Sequence, residues 1–112
     1  MQVQINPGLA DKVKETAKTV KGVEDSTAVV INGEISAAVK VKGFNRLRLK
    51  SIREEVHQKI TELYKDYEVH VTSDKKLFTL LQQIEKQIKD QKVKSAADIE
   101  QRVKKINKDM QG

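Results

Sequence analysis

The chain has no cysteine, no tryptophan, one proline and five glycines among 112 residues. The missing thiols exclude disulfides, thiol catalysis and zinc–thiolate centres, and they are silent about redox compartment. So little proline and glycine argues against a linker or low-complexity chain. The aromatic residues are Phe44, Phe78, Tyr64 and Tyr67, so a core must come mostly from Val, Ile, Leu and Ala. No apolar run approaches the about 20 residues of a membrane span. Met1–Pro7 has neither the basic start nor the apolar centre of a signal peptide. No glycine-rich phosphate loop is present.

Charge is abundant instead. Lys and Arg number 22 against 16 Asp and Glu, a net charge of +6. The charges are spread along helical faces rather than blocked, as in a folded domain with a solvated surface. The surplus suits attraction to anionic phospholipid, nucleic acid or an acidic polymer, and it equally keeps a small protein soluble. The length predicts one domain that buries roughly two-thirds of its unfolded surface.

Periodicity sets the elements. Asn6-Pro7 predicts a capped helix start, followed by Leu9, Val13, Ala17 and Val20 at helical spacing and a stop at Gly22. Ser26–Lys42 predicts a hairpin closed on Asn32-Gly33 as a type I′ turn, with positive φ at both residues. That register sets Val30 opposite Ile35 and Ala28 opposite Ala37, on one sheet side with Val39 and Val41. The amphipathic run Asn45–Asp66 predicts one long helix capped by Asn45, with Leu49, Ile52, Val56, Ile60 and Leu63 on its core face. Tyr67–Thr72 alternates as a third strand. Ser73 is expected to cap a third helix with the stripe Leu77, Leu80, Leu81, Ile84 and Ile88. Ser95 and Asp98 resemble a capping box before a fourth helix carrying Ile99, Val103, Ile106 and Met110. The order is α-β-β-α-β-α-α, an α+β fold. The expected sheet order is 2-1-3, with strand three beside strand one and the helices mainly on one face. One domain over residues 1–112 is expected, with a core at 7–90 and a C-terminal helix at 95–110.

Catalytic constellations do not assemble. His57 and His70 lie on different elements, without a second ligand at metal-site spacing. Glu54-Glu55 point about 100° apart on a helix, and Glu24-Asp25 fall in a turn, so neither is an acid–base pair. The serines fit caps and strands. No catalytic, cofactor-binding or metal residue is therefore expected, and no small-molecule substrate. A hydrolase would need a polar pocket that the sequence does not supply.

Two interaction features remain. Lys40–Lys50, KVKGFNRLRLK, opens like an RNA-recognition signature but lacks the strand aromatics that stack bases, which disfavours nucleic acid. Its Lys40, Lys42, Arg46, Arg48 and Lys50 form a candidate basic rim that touches phosphates, or a solvated strand edge and helix start. Val29, Ile31, Ser36, Ala38, His70 and Thr72 share the other sheet side. With helices on one face only, they form a candidate interaction face; the alternative is that the third or fourth helix covers it.

Several segments together resemble the YhcN/YlaJ family of sporulation lipoproteins. They are LADKVKETAKTVKGVEDSTAVV, AAVKVKG, IREEVHQKITELYKD and VHVTSDKKLFTLLQQIEKQI, where Val69, Val71, Thr72, Ser73 and Asp74 match the family's V-x-V-[ST] strand and polar turn. The likeness covers about Leu9 to Lys108. It departs where Asp90-Gln91-Lys92 replaces a glycine-containing connector. The resemblance implies a role in the spore, on its membrane or within its layers, in sporulation, germination or outgrowth. It brings no enzymatic activity, cofactor or catalytic residue. Family members carry a signal peptide with a lipobox cysteine and a polar linker before this domain. The chain is accordingly expected to be a soluble piece of a lipid-anchored protein, or a non-lipidated relative. The element order also resembles a ring-building motif of sporulation and secretion proteins, a likeness of fold alone. The expected action is contact with another spore protein or self-association, with an anionic membrane surface as a further candidate partner. The alternative is a basic module binding nucleic acid or an acidic cell-wall polymer.

Overall fold

A computed structural model describes residues 3–111, without the side chains of Phe44, Asn45 and Arg46. The elements run α1 (Pro7–Lys18), β1 (Val23–Ile31), β2 (Glu34–Val41), a 3-10 helix (Gly43–Arg48), α2 (Leu49–Leu63), β3 (Glu68–Thr72), α3 (Lys75–Lys89) and α4 (Ala96–Gln111). This is an α+β fold in the expected element order.

Local chemistry accounts for most boundaries. Asn6 Oδ1 accepts from the Leu9 amide at 3.0 Å, and Pro7 opens α1 where its missing N–H costs nothing. The helix ends at Lys18, and Gly22, at φ 101°, turns the chain into β1. The hairpin register sets Val30 against Ile35 and Ala28 against Ala37, as the turn position predicts. Asn32 takes φ 53°, but Gly33 is not among the positive-φ residues, so the turn is not the expected type I′.

Four local expectations need correction. The run from Asn45 is not one helix: the chain forms the 3-10 helix Gly43–Arg48 first, and α2 starts at Leu49 without a side-chain cap bond. The side chain of Asn45, expected as that cap, lies outside the described residues. Leu63, expected in the core, is 62% exposed at the last turn, while Ile52, Val56 and Ile60 are buried. Asp74 rather than Ser73 caps α3, its Oδ1 accepting from the Leu77 amide at 2.9 Å, and Phe78 rather than Leu80 completes that helix's buried stripe. Ser95 does cap α4, its Oγ accepting from the Asp98 amide at 3.1 Å.

The connector before α4 is a Schellman motif. Lys92 N–H reaches Gln87 O at 2.9 Å and Gln91 N–H reaches Ile88 O at 3.2 Å, with Gln91 at φ 57°.

The sheet order is β1-β2-β3, with β1·β2 antiparallel and β2·β3 parallel, so β3 lies beside β2 and the expected order 2-1-3 is wrong. The outer edge of β1 is already taken. Ile5 bridges Ile31, Asn6 N–H donates to Val30 O at 2.9 Å, and Asn32 N–H donates to Gln4 O at 2.8 Å. Further along the same strand, Glu85 of α3 accepts from Thr27 Oγ1 at 2.7 Å and from Ala28 N–H at 3.4 Å. Strand β3 is left with the free edge of β2.

Helices cover both faces, not mainly one. Helices α1 and α2 pack Val13, Ala17, Ile52, Val56 and Ile60 onto Ala28, Val30, Ile35, Ala37 and Val39. Helices α3 and α4 pack onto the opposite side, over Val29, Ile31 and Ala38. The sheet is thus the central layer between two apolar cores.

Candidate functional site

The expected open interaction face is closed. Leu77, Phe78, Leu81 and Ile84 of α3, with Ile99, Val103 and Ile106 of α4, bury Val29, Ile31 and Ala38. Ser36 and Thr72 are buried as well, and the His70 side chain is only 12% exposed. The cause is the usual one: a β-branched apolar face recovers free energy when an amphipathic helix covers it. A polar pair fixes the docking, since Ser36 Oγ donates to Asn107 Oδ1 at 2.7 Å inside the layer. Asn32–Glu100 at 3.1 Å and Arg102–Gln87 at 2.7 Å tie α4 to the hairpin turn and to α3.

His70 belongs to a polar cluster at the hairpin-turn end of the sheet. Glu34 and Glu68 are cross-strand partners, an arrangement in which like charges repel. His70 Nε2 lies 3.3 Å from Glu34 Oε1 and 3.5 Å from Glu68 Oε1, within reach of both carboxylates. Of the described residues, these three bring metal-ligand types of atom within 4.8 Å of one another. Both carboxylates are substantially solvated. His57 is placed differently, with Nε2 3.1 Å from the Val69 carbonyl.

The basic rim is exposed. Lys40, Lys42, Arg48 and Lys50 all face solvent, whereas the Arg46 side chain lies outside the described residues. Because β2 and β3 are adjacent and parallel, their C-terminal ends come out side by side. That pairing adds Lys75 and Lys76, at the start of α3, to the rim. Sequence reasoning missed these two lysines, because an order with β1 between the strands would have held them apart. Between the two strand ends lies an open groove of about 860 Å³, lined by Lys40, Gly43, Leu49, Lys75 and Lys76 together with the acids Glu24 and Asp74. Lys40 Nζ sits 4.8 Å from the centre of the Phe78 ring, a cation–π contact that leaves the ammonium at the groove. None of the described ion pairs involves Lys40, Lys42, Arg48, Lys50, Lys75 or Lys76. Leu47, in the 3-10 helix bracketed by Gly43 and Leu49, is fully exposed.

Residues 4–111 match the family described as Sporulation lipoprotein YhcN/YlaJ, and with them both layers of helices, the sheet and the basic end. The chain belongs to this family. The match extends beyond the segments that carried the sequence resemblance, to include the residues that cover the outer edge of β1. No curated protein matches the chain. The family places the chain in sporulation, and no described helix is long and apolar enough to cross a membrane.

Proposed function

We propose that this YhcN/YlaJ domain is a non-enzymatic part of a spore-envelope lipoprotein. It acts in sporulation, germination or outgrowth by surface contact, and its basic end is the contacting surface. The observation that carries the reading is the groove lined by Lys40, Lys75 and Lys76, with the exposed Lys42, Arg48 and Lys50 close by in the chain and none of the six in the described ion pairs. The cations at this end outnumber Glu24 and Asp74 in the groove and repel one another, and an acidic partner relieves that repulsion by charge complementarity. The apolar sheet face that would otherwise be the natural contact is covered core. The family's description as lipoproteins supports a lipid anchor, which at the N-terminus would hold the domain near the spore membrane.

The test is replacement of the native gene by one encoding Lys42→Glu, Arg48→Glu, Lys75→Glu and Lys76→Glu. These side chains are exposed, so the variant should fold and accumulate like the parent. Spores carrying it should show the same defect as spores lacking the gene. Normal sporulation, germination and outgrowth with this variant would overturn the reading.

A further inference from the structure

We infer that the partner of the basic end is an anionic lipid bilayer, into whose interfacial zone Leu47 inserts. The inference rests on the contact reading above and names its partner.

A buried or half-covered leucine needs no explanation, but Leu47 is fully exposed on a short 3-10 helix. Solvated cations are its neighbours in the chain: Arg48 follows directly, Lys50 and Lys42 are close by, and Gly43 and Leu49 on either side line the groove that holds Lys40, Lys75 and Lys76. No acidic residue occurs in the sequence between Glu34 and Glu54. The acids that do approach are Glu24 and Asp74 at the groove, and Asp74 Oδ1 is engaged by the Leu77 amide.

An exposed apolar side chain in a cation-rich segment suits a bilayer surface on two counts. Lysine and arginine are drawn to the negative potential of phosphatidylglycerol-type headgroups, and a leucine placed among them reaches the acyl boundary. An acidic protein would satisfy the cations equally, but it would require a pocket for Leu47. Headgroup binding alone would leave the leucine in water. The bilayer accommodates both features without a shaped partner.

The protein has no tryptophan, so Leu47→Trp installs a single indole reporter at the proposed depth. The probe is the purified chain with vesicles of phosphatidylglycerol and phosphatidylcholine mixed, against vesicles of phosphatidylcholine alone. The chain should bind the anionic vesicles, release steeply as salt rises, and ignore the neutral ones. The Leu47→Trp emission should shift to the blue on binding. Leu47→Ser should weaken partitioning by about tenfold, from lost apolar burial. Lys75→Glu with Lys76→Glu should abolish it, while Lys105→Glu with Lys108→Glu on α4, which changes the net charge equally, should not.

Failure to bind anionic vesicles at low salt overturns the inference, as does binding with unshifted indole emission. Equal loss from the α4 pair would assign attraction to overall charge and also overturn it. If vesicles are ignored but the charge-reversed gene still fails in spores, the contact reading stands and its partner is an acidic protein or polymer. If vesicles bind as expected while that gene works normally, it is the contact reading that falls.

Discussion

Lys14 Nζ of α1 lies 2.7 Å from Glu85 Oε2 of α3, so the helix layers on opposite faces of the sheet are joined around its β1 edge. The other carboxylate oxygen accepts from Thr27 Oγ1 and Ala28 N–H, and Lys89 approaches at 3.1 Å. One side chain thereby blunts an edge strand and fastens two layers. An unpaired strand edge invites pairing with another chain, and a buried amide without a partner is costly.

Burial by itself pushes the Glu85 carboxyl up, but hydrogen bonds from Lys14, Thr27 and Lys89, and the Lys14 charge, outweigh it. The net result holds the group below its ordinary value of 4.5. A carboxylate depressed in the folded state contributes stability that is present above about pH 4.5 and is lost as pH falls through the folded value. Glu85→Gln should lower stability near neutral pH by about 1–3 kcal/mol. It should also flatten the acid side of the stability profile, read from thermal melts between pH 7 and pH 3. A variant with the parent's acid slope would remove Glu85 from the explanation.

Val30 is 1% exposed on the α1/α2 side of the sheet. Val30→Asp strands a charge there without a partner and should cost on the order of 3 kcal/mol or more. Urea unfolding of the variant decides it, and a melt like the parent's would reject the side assignment.

Val29→Thr and Ile31→Thr keep β propensity but place hydroxyls beneath α3 and α4. Each should destabilise by roughly 1–3 kcal/mol with no change in oligomeric state, because the face is core. Calorimetry paired with sedimentation separates the outcomes. Unchanged stability with altered association would mean that the face is open.

Deleting residues 95–112 removes the cover supplied by Ile99, Val103 and Ile106 and leaves Ser36 without Asn107. The shortened chain should melt lower and aggregate, and more so at higher concentration, in circular dichroism melts at two concentrations. A concentration-independent melt at the parent's temperature would show that α4 contributes nothing to the core.

Gln91 occupies the left-handed position that a Schellman motif usually gives to glycine. Gln91→Gly relieves the Cβ strain at some cost in unfolded-chain entropy, and should raise stability by about 0.5–1 kcal/mol. A lowered melting temperature would show instead that the glutamine side chain makes a contact worth more than the strain.

Local sequence determined what neighbouring residues decide among themselves. Asn6-Pro7 set the start of α1, Asn32-Gly33 set the hairpin register, and Ser95 set the start of α4. The alternation of Ala28, Val30, Ile35 and Ala37 fixed which side chains share a face, because a strand's period of two leaves no other choice. The family was legible in the same segments. Strand neighbours and helix layers were not, because they depend on competition between distant groups. Gln4–Asn6 and Glu85 occupy the outer edge of β1, and only their arrival in three dimensions sends β3 to β2. The stripe of α4 matched either a core or a partner until Ser36 met Asn107, 71 residues away. Lys75 and Lys76 joined the basic rim for the same reason: parallel neighbours end together, and which strands are neighbours is settled by free edges, not by local propensity.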